Sequence, residues 1–262
     1  MPPFPEQGAI DKHKENIMKK LLTMVIGLAA LTATGVMAAD TIKIATEGAY
    51  PPFNEKNAAG ELVGFDVDIA NALCAQMQAE CTIVAQDWDG IIPGLVNNKY
   101  DAIIASMSIT DERKASIDFA GPYYSNYIAI LAKKGSGLSH ESALKTTIGA
   151  QRSTVSSAWA EDQAGSRGDI KLYDTQTAAN ADLAAGRVDV IVSDLLPALA
   201  WLKDNPAFEQ VGANIDIGDK IGIGIRKGED ALKQKFDAAL SAIRGDGTYQ
   251  KISEKYFGTD IF

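Results

Sequence analysis

The sequence predicts an α/β fold built as two similar lobes, and three observations point there. Strand-like apolar segments alternate with helix-like ones along most of the chain, the pattern of mostly parallel sheets covered by helices. A segment near residue 100 is echoed near residue 190. The 262 residues permit one large domain or two of about 100 residues each, and the 46% hydrophobic fraction supplies enough apolar side chains for real cores.

The elements follow in order. Residues 41–45, Thr41-Ile42-Lys43-Ile44-Ala45, alternate as a strand does. Phe65, Ile69, Leu73 and Met77 recur at every fourth position and mark one face of a helix. Residues 82–85 form the next strand. Asp87 is placed to cap a short helix running through Val96, and residues 101–105 read as a buried strand. The second half repeats the scheme, with strands at 147–150, 170–173 and 189–192 and helices at 153–162 and 175–185. After a strand at 221–225 come helices at 230–244 and 248–256, parted by Gly245-Asp246-Gly247.

The echo pairs residues 95–106 with residues 183–194. Both read Leu, a basic residue four positions on, Asp six positions on, then an apolar strand ending in polar groups. Either two lobes share one plan or two common helix–turn–strand units look alike by chance. In the first case Ser106 and Asp194 occupy equivalent strand ends. Open α/β sheets bind ligands at the carboxyl ends of their strands, so two facing lobes bring both residues to one cleft.

The N-terminus reads as a secretory leader. Met18-Lys19-Lys20 precedes an apolar run over residues 21–31, then small residues ending Val36-Met37-Ala38-Ala39. A basic start, a short apolar stretch and a small-residue cleavage point define a signal peptide, and the run is too short for a comfortable membrane span. Residues 1–17 read as an upstream extension, with Met18 as the initiator. Residues 1–38 carry one net positive charge and the whole chain −9, which leaves −10 on the remainder. Nucleic-acid binding rests on Lys and Arg neutralising phosphates, so this acidity argues against it. Cys74 and Cys81, in an oxidising compartment, read as a disulfide closing an eight-residue loop. Its spacing is not Cys-x-x-Cys, and two Cys alone are too few for zinc. Such a loop is worth about 2.5 kcal/mol in the chain-entropy picture.

Chemistry concentrates in Ser106-Met107-Ser108-Ile109-Thr110-Asp111-Glu112-Arg113. A strand ends, hydroxyls follow, and Thr110 starts a helix whose free backbone N–H groups favour an anion. Arg113, one turn in, either grips a carboxylate in two-pronged fashion or pairs with Asp111 or Glu112 in solvent. Tyr50, before Pro51-Pro52, and Trp88 each follow a strand, where they either fill core or cap a pocket. Glu47 lies beside Tyr50, and aromatic faces with a carboxylate suit a cationic side chain. Outside the leader the single histidine, His140, sits in a polar Ser-rich stretch. No Gly-x-Ser-x-Gly, phosphate-cradling glycine loop or metal-spaced His/Cys set is present. We therefore expect no catalytic residue, metal or cofactor.

From residue 41 to residue 257 the chain resembles the polar amino-acid binding proteins of bacterial ABC importers, in particular the branch for lysine/arginine/ornithine, histidine and opines. The resemblance is carried by Tyr50-Pro51-Pro52-Phe53, by Gly64-Phe65-Asp66-Val67-Asp68-Ile69, and by Asp101-Ala102-Ile103-Ile104 running into Ser108-Ile109-Thr110-Asp111-Glu112-Arg113. Cys74, Cys81 and Asp246-Gly247-Thr248-Tyr249 also match. It implies the type II periplasmic binding protein fold, two α/β lobes joined by a two-crossing hinge, with residues 39–126 plus 221–262 in one lobe and 127–220 in the other. It also implies a monomer that carries an amino acid through the periplasm to a membrane permease. Position by position, Arg113 would bind the α-carboxylate, helped by Ser108 and Thr154. Ser106 and Asp194 would hold the α-ammonium, Tyr50 and Trp88 would sandwich the side chain, and Glu47 would face its distal cation. Gln151 lies on the second lobe's ligand loop, and Met107 and Ser153 complete the set. Two positions depart from the pattern. Arg152 stands where relatives commonly have Gly, and Val155 where some have Gln; an Arg152 pointing inward would disfavour a cationic side chain. The competing implication is a dehydratase acting on arogenate-like substrates on the same scaffold.

Overall fold

The computed structural model describes Met1 and residues 40–262. The expected leader and its cleavage point, Met1 apart, lie outside the described residues. Strand β1 (Thr41–Thr46) is followed by a small antiparallel sheet of β2 (Ala49–Tyr50), β3 (Asn54–Lys56) and β4 (Leu62–Val63). Helix α1 (Phe65–Met77), strand β5 (Glu80–Ala85), helix α2 (Ile91–Val96), strand β6 (Ala102–Ser108), helix α3 (Asp111–Ser116) and strand β7 (Ile117–Ser125) come next. After Asn126 the chain enters a second sheet with β8 (Ile128–Lys133), helix α4 (His140–Ala143), β9 (Thr147–Gln151), α5 (Val155–Ala164) and β10 (Asp169–Tyr173). Helix α6 (Gln176–Ala184), β11 (Val190–Asp194), α7 (Leu195–Asp204) and β12 (Phe208–Gln210) complete that half. The chain returns as β13 (Lys220–Arg226) and ends in α8 (Asp230–Gly245) and α9 (Thr248–Phe257).

Two five-stranded sheets result, in the orders β5-β1-β6-β13-β7 and β10-β9-β11-β8-β12. The expectation of mostly parallel sheets needs correction. In each sheet three neighbouring strands are parallel, and the remaining two pair antiparallel. The reason is the path between lobes. β13 and β8 are each the first strand laid down after a crossing, and each arrives against the direction of its neighbour. The parallel halves keep the strand ends together on one side, and those ends carry the site.

Side-chain alternation explains the cores. In β6, Ala102 and Ile104 face α1 and α8, packing with Ile44, Phe65, Leu73 and Phe236. Ile103, Ala105 and Met107 face the other way, against Ile91, Leu95 and Tyr100. Both faces are covered, so β6 is apolar throughout rather than alternating in polarity. The second sheet is covered in the same way, by α5 on one face and by α6 and α7 on the other. Gly64 seats α1. It has φ +128°, and a Cβ there would stand 2.2 Å from the Phe53 carbonyl oxygen, so no other residue fits without moving the chain. Phe65 then lies fully buried, a contribution of about 1.5–3 kcal/mol for such a ring.

Two local expectations also shift. Asp87 makes no side-chain cap; a single 3-10 turn at Trp88–Gly90 intervenes, closed by Gly90 N–H donating to the Asp87 carbonyl at 3.0 Å, and α2 starts at Ile91. Ser153 does not begin the helix that follows it. Thr154 caps α5 in a reciprocal box with Ser157, leaving Ser153 outside at φ +59°. Among the described residues no helix is long and apolar enough to cross a membrane.

Cys74, near the end of α1, is bonded to Cys81 in β5, with 6.1 Å between their Cα atoms. The bridge ties helix to sheet beside the largest core. Replacing both cysteines by serine is expected to cost about 2–3 kcal/mol, read as a lower urea midpoint with an unchanged slope. A midpoint equal to wild type would show that the bridge does not stabilise the fold.

Candidate functional site

Most polar groups of the site hang from strand ends, and Arg113 and Thr154 come from the starts of the helices that follow. Glu47 follows β1, Tyr50 lies in β2, and Trp88 follows β5. Ser106 and Ser108 close β6, Gln151 closes β9, and Asp194 closes β11. Glu47, Tyr50, Trp88, Ser106, Ser108, Arg113, Gln151, Thr154 and Asp194 together line a cavity of about 20 Å³, with Ala105 and Val155. Ser106 and Asp194, the two ends of the sequence echo, thus meet at one cavity. Its volume admits about one water, because the lobes are closed and the polar groups pair with one another.

The pairs across the cleft are specific. The Tyr50 hydroxyl donates to Asp194 Oδ2 at 2.7 Å, and Ser156 Oγ donates to Oδ1 at 2.7 Å. Gln151 Nε2 donates to Glu47 Oε1 at 2.8 Å. Arg113 does not turn to Asp111, which pairs with Lys114 instead. Its guanidinium donates to the Ser108 carbonyl and the Ser153 carbonyl, both at 2.9 Å, and lies 5.3 Å from the Trp88 ring centre. Thr110 holds the base of that arm by accepting from Arg113 N–H at 3.2 Å. Trp88 Nε1 donates to the Ser153 carbonyl at 3.2 Å.

Two expected residues do not line the small cavity. Met107 points to the opposite face of β6 from its neighbours, into the apolar core and a neighbouring cavity of about 420 Å³. Ser153 lines that larger cavity; its Oγ donates to Asp89 Oδ1 at 3.3 Å, and its carbonyl meets Arg113 and Trp88. Arg152 does not line the small cavity either. It is half-exposed and bridges Asp174 at 3.0 Å and Asp89 at 3.8 Å, so it sets no positive charge among the cavity walls.

The residues that sequence reasoning missed stand behind the wall. Ser106 Oγ donates to Asp66 Oδ2 at 3.0 Å. Ser108 Oγ donates to Asp219 Oδ2 at 3.0 Å, and Asn126 Nδ2 reaches the same oxygen at 2.9 Å. Asp66 belonged to a quoted motif, but an acid in a helix's first turn is usual on dipole grounds. Asp219 stood in a polar connection with no pattern to single it out.

Glu47, Asp66, Asp194 and Asp219 are the only buried acids among the described residues, and no Lys, Arg or His is buried there. Burial pushes the Glu47 carboxyl up to about 7, opposed by the Gln151 hydrogen bond and reinforced by Asp87 and Asp89. Burial likewise raises Asp66, to about 6, and Asp219. Tyr50 is held as a neutral phenol by burial and by the charge of Asp194. Arg113 is only partly covered, and the loss of water around it lowers it from its ordinary value, offset by Asp219 and Asp194. The cleft therefore holds an excess of negative groups over one guanidinium. Among the described residues no cluster of metal-ligating side chains occurs.

Comparison with known proteins agrees with this architecture. The chain is 39% identical over 256 residues to the L-arginine-binding protein of Pseudomonas aeruginosa, covering 94% of this chain and 99% of that one. It is 36% identical over 251 residues to the lysine/arginine/ornithine-binding periplasmic protein of Escherichia coli, covering 92% and 96%. Among solved structures, an ancestral arginine-binding protein bound to arginine superposes with a TM-score of 0.79 at 39% identity, over 83% of this chain and 98% of that one. Residues 42–259 match one family throughout, and the chain belongs to the bacterial extracellular solute-binding proteins, family 3.

Proposed function

We propose that this protein binds a cationic amino acid, arginine, ornithine or lysine, between its two lobes in the periplasm, and hands it as a monomer to the membrane permease of an ABC importer. The observation that carries the reading is the charge of the cavity wall: the carboxyls of Glu47 and Asp194 line it against the single guanidinium of Arg113, with Asp66 and Asp219 buried behind. Buried charges are retained only when paired, and a cationic amino acid supplies two positive groups and one negative. Arg113 takes the α-carboxylate, with Thr154 and the backbone at the start of α3. Asp194 and Ser106 take the α-ammonium. Tyr50 and Trp88 flank the side chain, and Glu47, released from Gln151, meets its distal cation. Ser108 gives its proton to Asp219, so its share in holding the carboxylate requires that hydroxyl to turn. The names of the relatives, which are binders of arginine and related amino acids, support the same ligand class.

Residues 39–126 plus 221–262 act as one lobe and 127–220 as the other. The two crossings are clamped where Asn126 N–H donates to the Asp219 carbonyl at 3.1 Å. Closure about such crossings sequesters the ligand.

In a thermal-shift competition, arginine, ornithine or lysine should raise the melting point by mass action, and glutamate should not. Glutamate or glutamine outcompeting arginine would overturn the role of Glu47. An opine that wins, in an order reversed by Arg152→Gly, would make Arg152 the specificity residue. Turnover of arogenate or prephenate would make the protein a dehydratase. Arg113→Ala should weaken L-arginine binding by about 2–5 kcal/mol, since a buried ligand charge loses its partner; near-wild-type affinity by calorimetry contradicts the assignment.

The raised Glu47 gives a pH signature. Cation binding needs the carboxylate, so affinity for L-arginine should fall as pH drops below about 7, by up to about tenfold per unit. Glu47→Gln should flatten that limb. The ligand-free protein has the opposite sign. Its neutral Glu47 contributes stability that is fully present below about 4.5 and is lost as pH rises through about 7. Wild-type affinity that does not change across this window refutes the pairing of Glu47 with a cation.

A further inference from the structure

Asp66 is fully buried at the start of α1. Its backbone N–H donates to the Phe53 carbonyl at 2.8 Å, at the close approach that Gly64 permits. Its carboxylate is met by neutral donors: Asn54 Nδ2 at 2.8 Å and Ser106 Oγ at 3.0 Å on Oδ2, and the Tyr123 hydroxyl at 2.7 Å on Oδ1. Tyr123 in turn accepts from Ser106 N–H at 3.0 Å. Its own hydrogen is therefore committed to Asp66, and the orientation of the network is fixed. Ser106 is gripped twice, at N–H through Tyr123 and at Oγ directly, which holds it at φ +51°, a left-handed conformation unusual for a residue with a side chain.

A serine hydroxyl has one hydrogen and two lone pairs. That hydrogen points away from the cavity, into Asp66. Toward the cavity Ser106 offers lone pairs only. Such an oxygen welcomes an ammonium, whose three hydrogens can serve both Ser106 and Asp194, and disfavours a hydroxyl, which has one hydrogen for the two acceptors and meets the other lone pair to lone pair.

We propose that Asp66 is a positioning residue for ligand recognition: by taking the hydrogen of Ser106 it makes that oxygen an acceptor facing the cavity, and so selects an α-ammonium over an α-hydroxyl. The inference rests on the amino-acid-binding reading above. An uncharged amide at the same position has its own N–H groups, which release the Ser106 hydrogen toward the ligand and reverse the preference of that oxygen.

The test compares L-arginine with argininic acid, which carries a hydroxyl in place of the α-ammonium, by calorimetric competition on the full protein. Wild type should prefer arginine. Asp66→Asn should narrow the ratio at least tenfold, mostly through weaker arginine binding. Ser106→Ala should narrow it comparably, and Asp66→Asn placed on Ser106→Ala should add little. A folded Asp66→Asn protein that keeps the full preference overturns the proposal, as does equal narrowing by Asp66→Asn with or without Ser106. Should Asp66→Asn not fold, as read by a lost melting transition, Ser106→Ala decides alone, and an unchanged ratio there overturns the proposal. Wild type binding none of arginine, ornithine and lysine refutes the cationic amino-acid reading itself, whereas arginine binding with an insensitive ratio refutes only the role of Asp66.

Discussion

Among the described residues, acids are buried around one cleft while no Lys, Arg or His is buried to the same degree, and this is the constraint on which the structure turns. Glu47, Asp66, Asp194 and Asp219 are withdrawn from water around one cleft, and Arg113 is the one guanidinium facing them. A carboxylate out of water must find hydrogen-bond donors or a cation, or else take up a proton. All three solutions are visible. Asp66 is met by three neutral donors, Asp219 shares the field of Arg113, and Glu47 is pushed toward protonation. The fold serves this arrangement by bringing strand ends from both sheets to a common edge.

The closed cleft is held by contacts between its carboxyls and neutral donors. Tyr50 donates to Asp194 and Gln151 to Glu47, each across the gap between the sheets. These are single bonds from neutral donors. An ammonium or guanidinium offers charge-assisted bonds of roughly twice the strength, so exchanging donors is favourable on the ligand's side. The Ser153 carbonyl, aimed back by its left-handed backbone, also joins the lobes through Arg113 and Trp88. That contact leaves Arg113 able to meet a carboxylate only after it gives up one of two carbonyl partners.

Much of this was legible in the sequence, because strand ends announce themselves. The apolar run before Ser106 and the echo before Asp194 located both cleft edges, and the Thr110 cap located Arg113. Less legible was whatever depends on a strand's partner rather than on its own composition. The antiparallel placement of β8 and β13 follows from chain crossings that no local pattern encodes. Met107 stands between two serines of the site in sequence, yet strand alternation turns it to the other face. Asp219 came from a connection with no periodicity, and Asp66 looked like an ordinary acid at a helix start. Arg152, which as a sequence departure bore on ligand charge, proves to bridge Asp89 and Asp174 outside the small cavity, an orientation only the folded chain decides.

The central claim is that a cationic amino acid replaces the donors now occupying the cleft carboxylates. A crystal structure of the protein with L-arginine tests it most directly. The account predicts the α-carboxylate on Arg113 and the α-ammonium on Asp194 and Ser106. It places the guanidinium between Tyr50 and Trp88 with Glu47 at its end, and the Gln151–Glu47 bond broken. Arginine found instead in the larger cavity beside Met107 and Leu172, with the Tyr50–Asp194 and Gln151–Glu47 bonds intact, would contradict it.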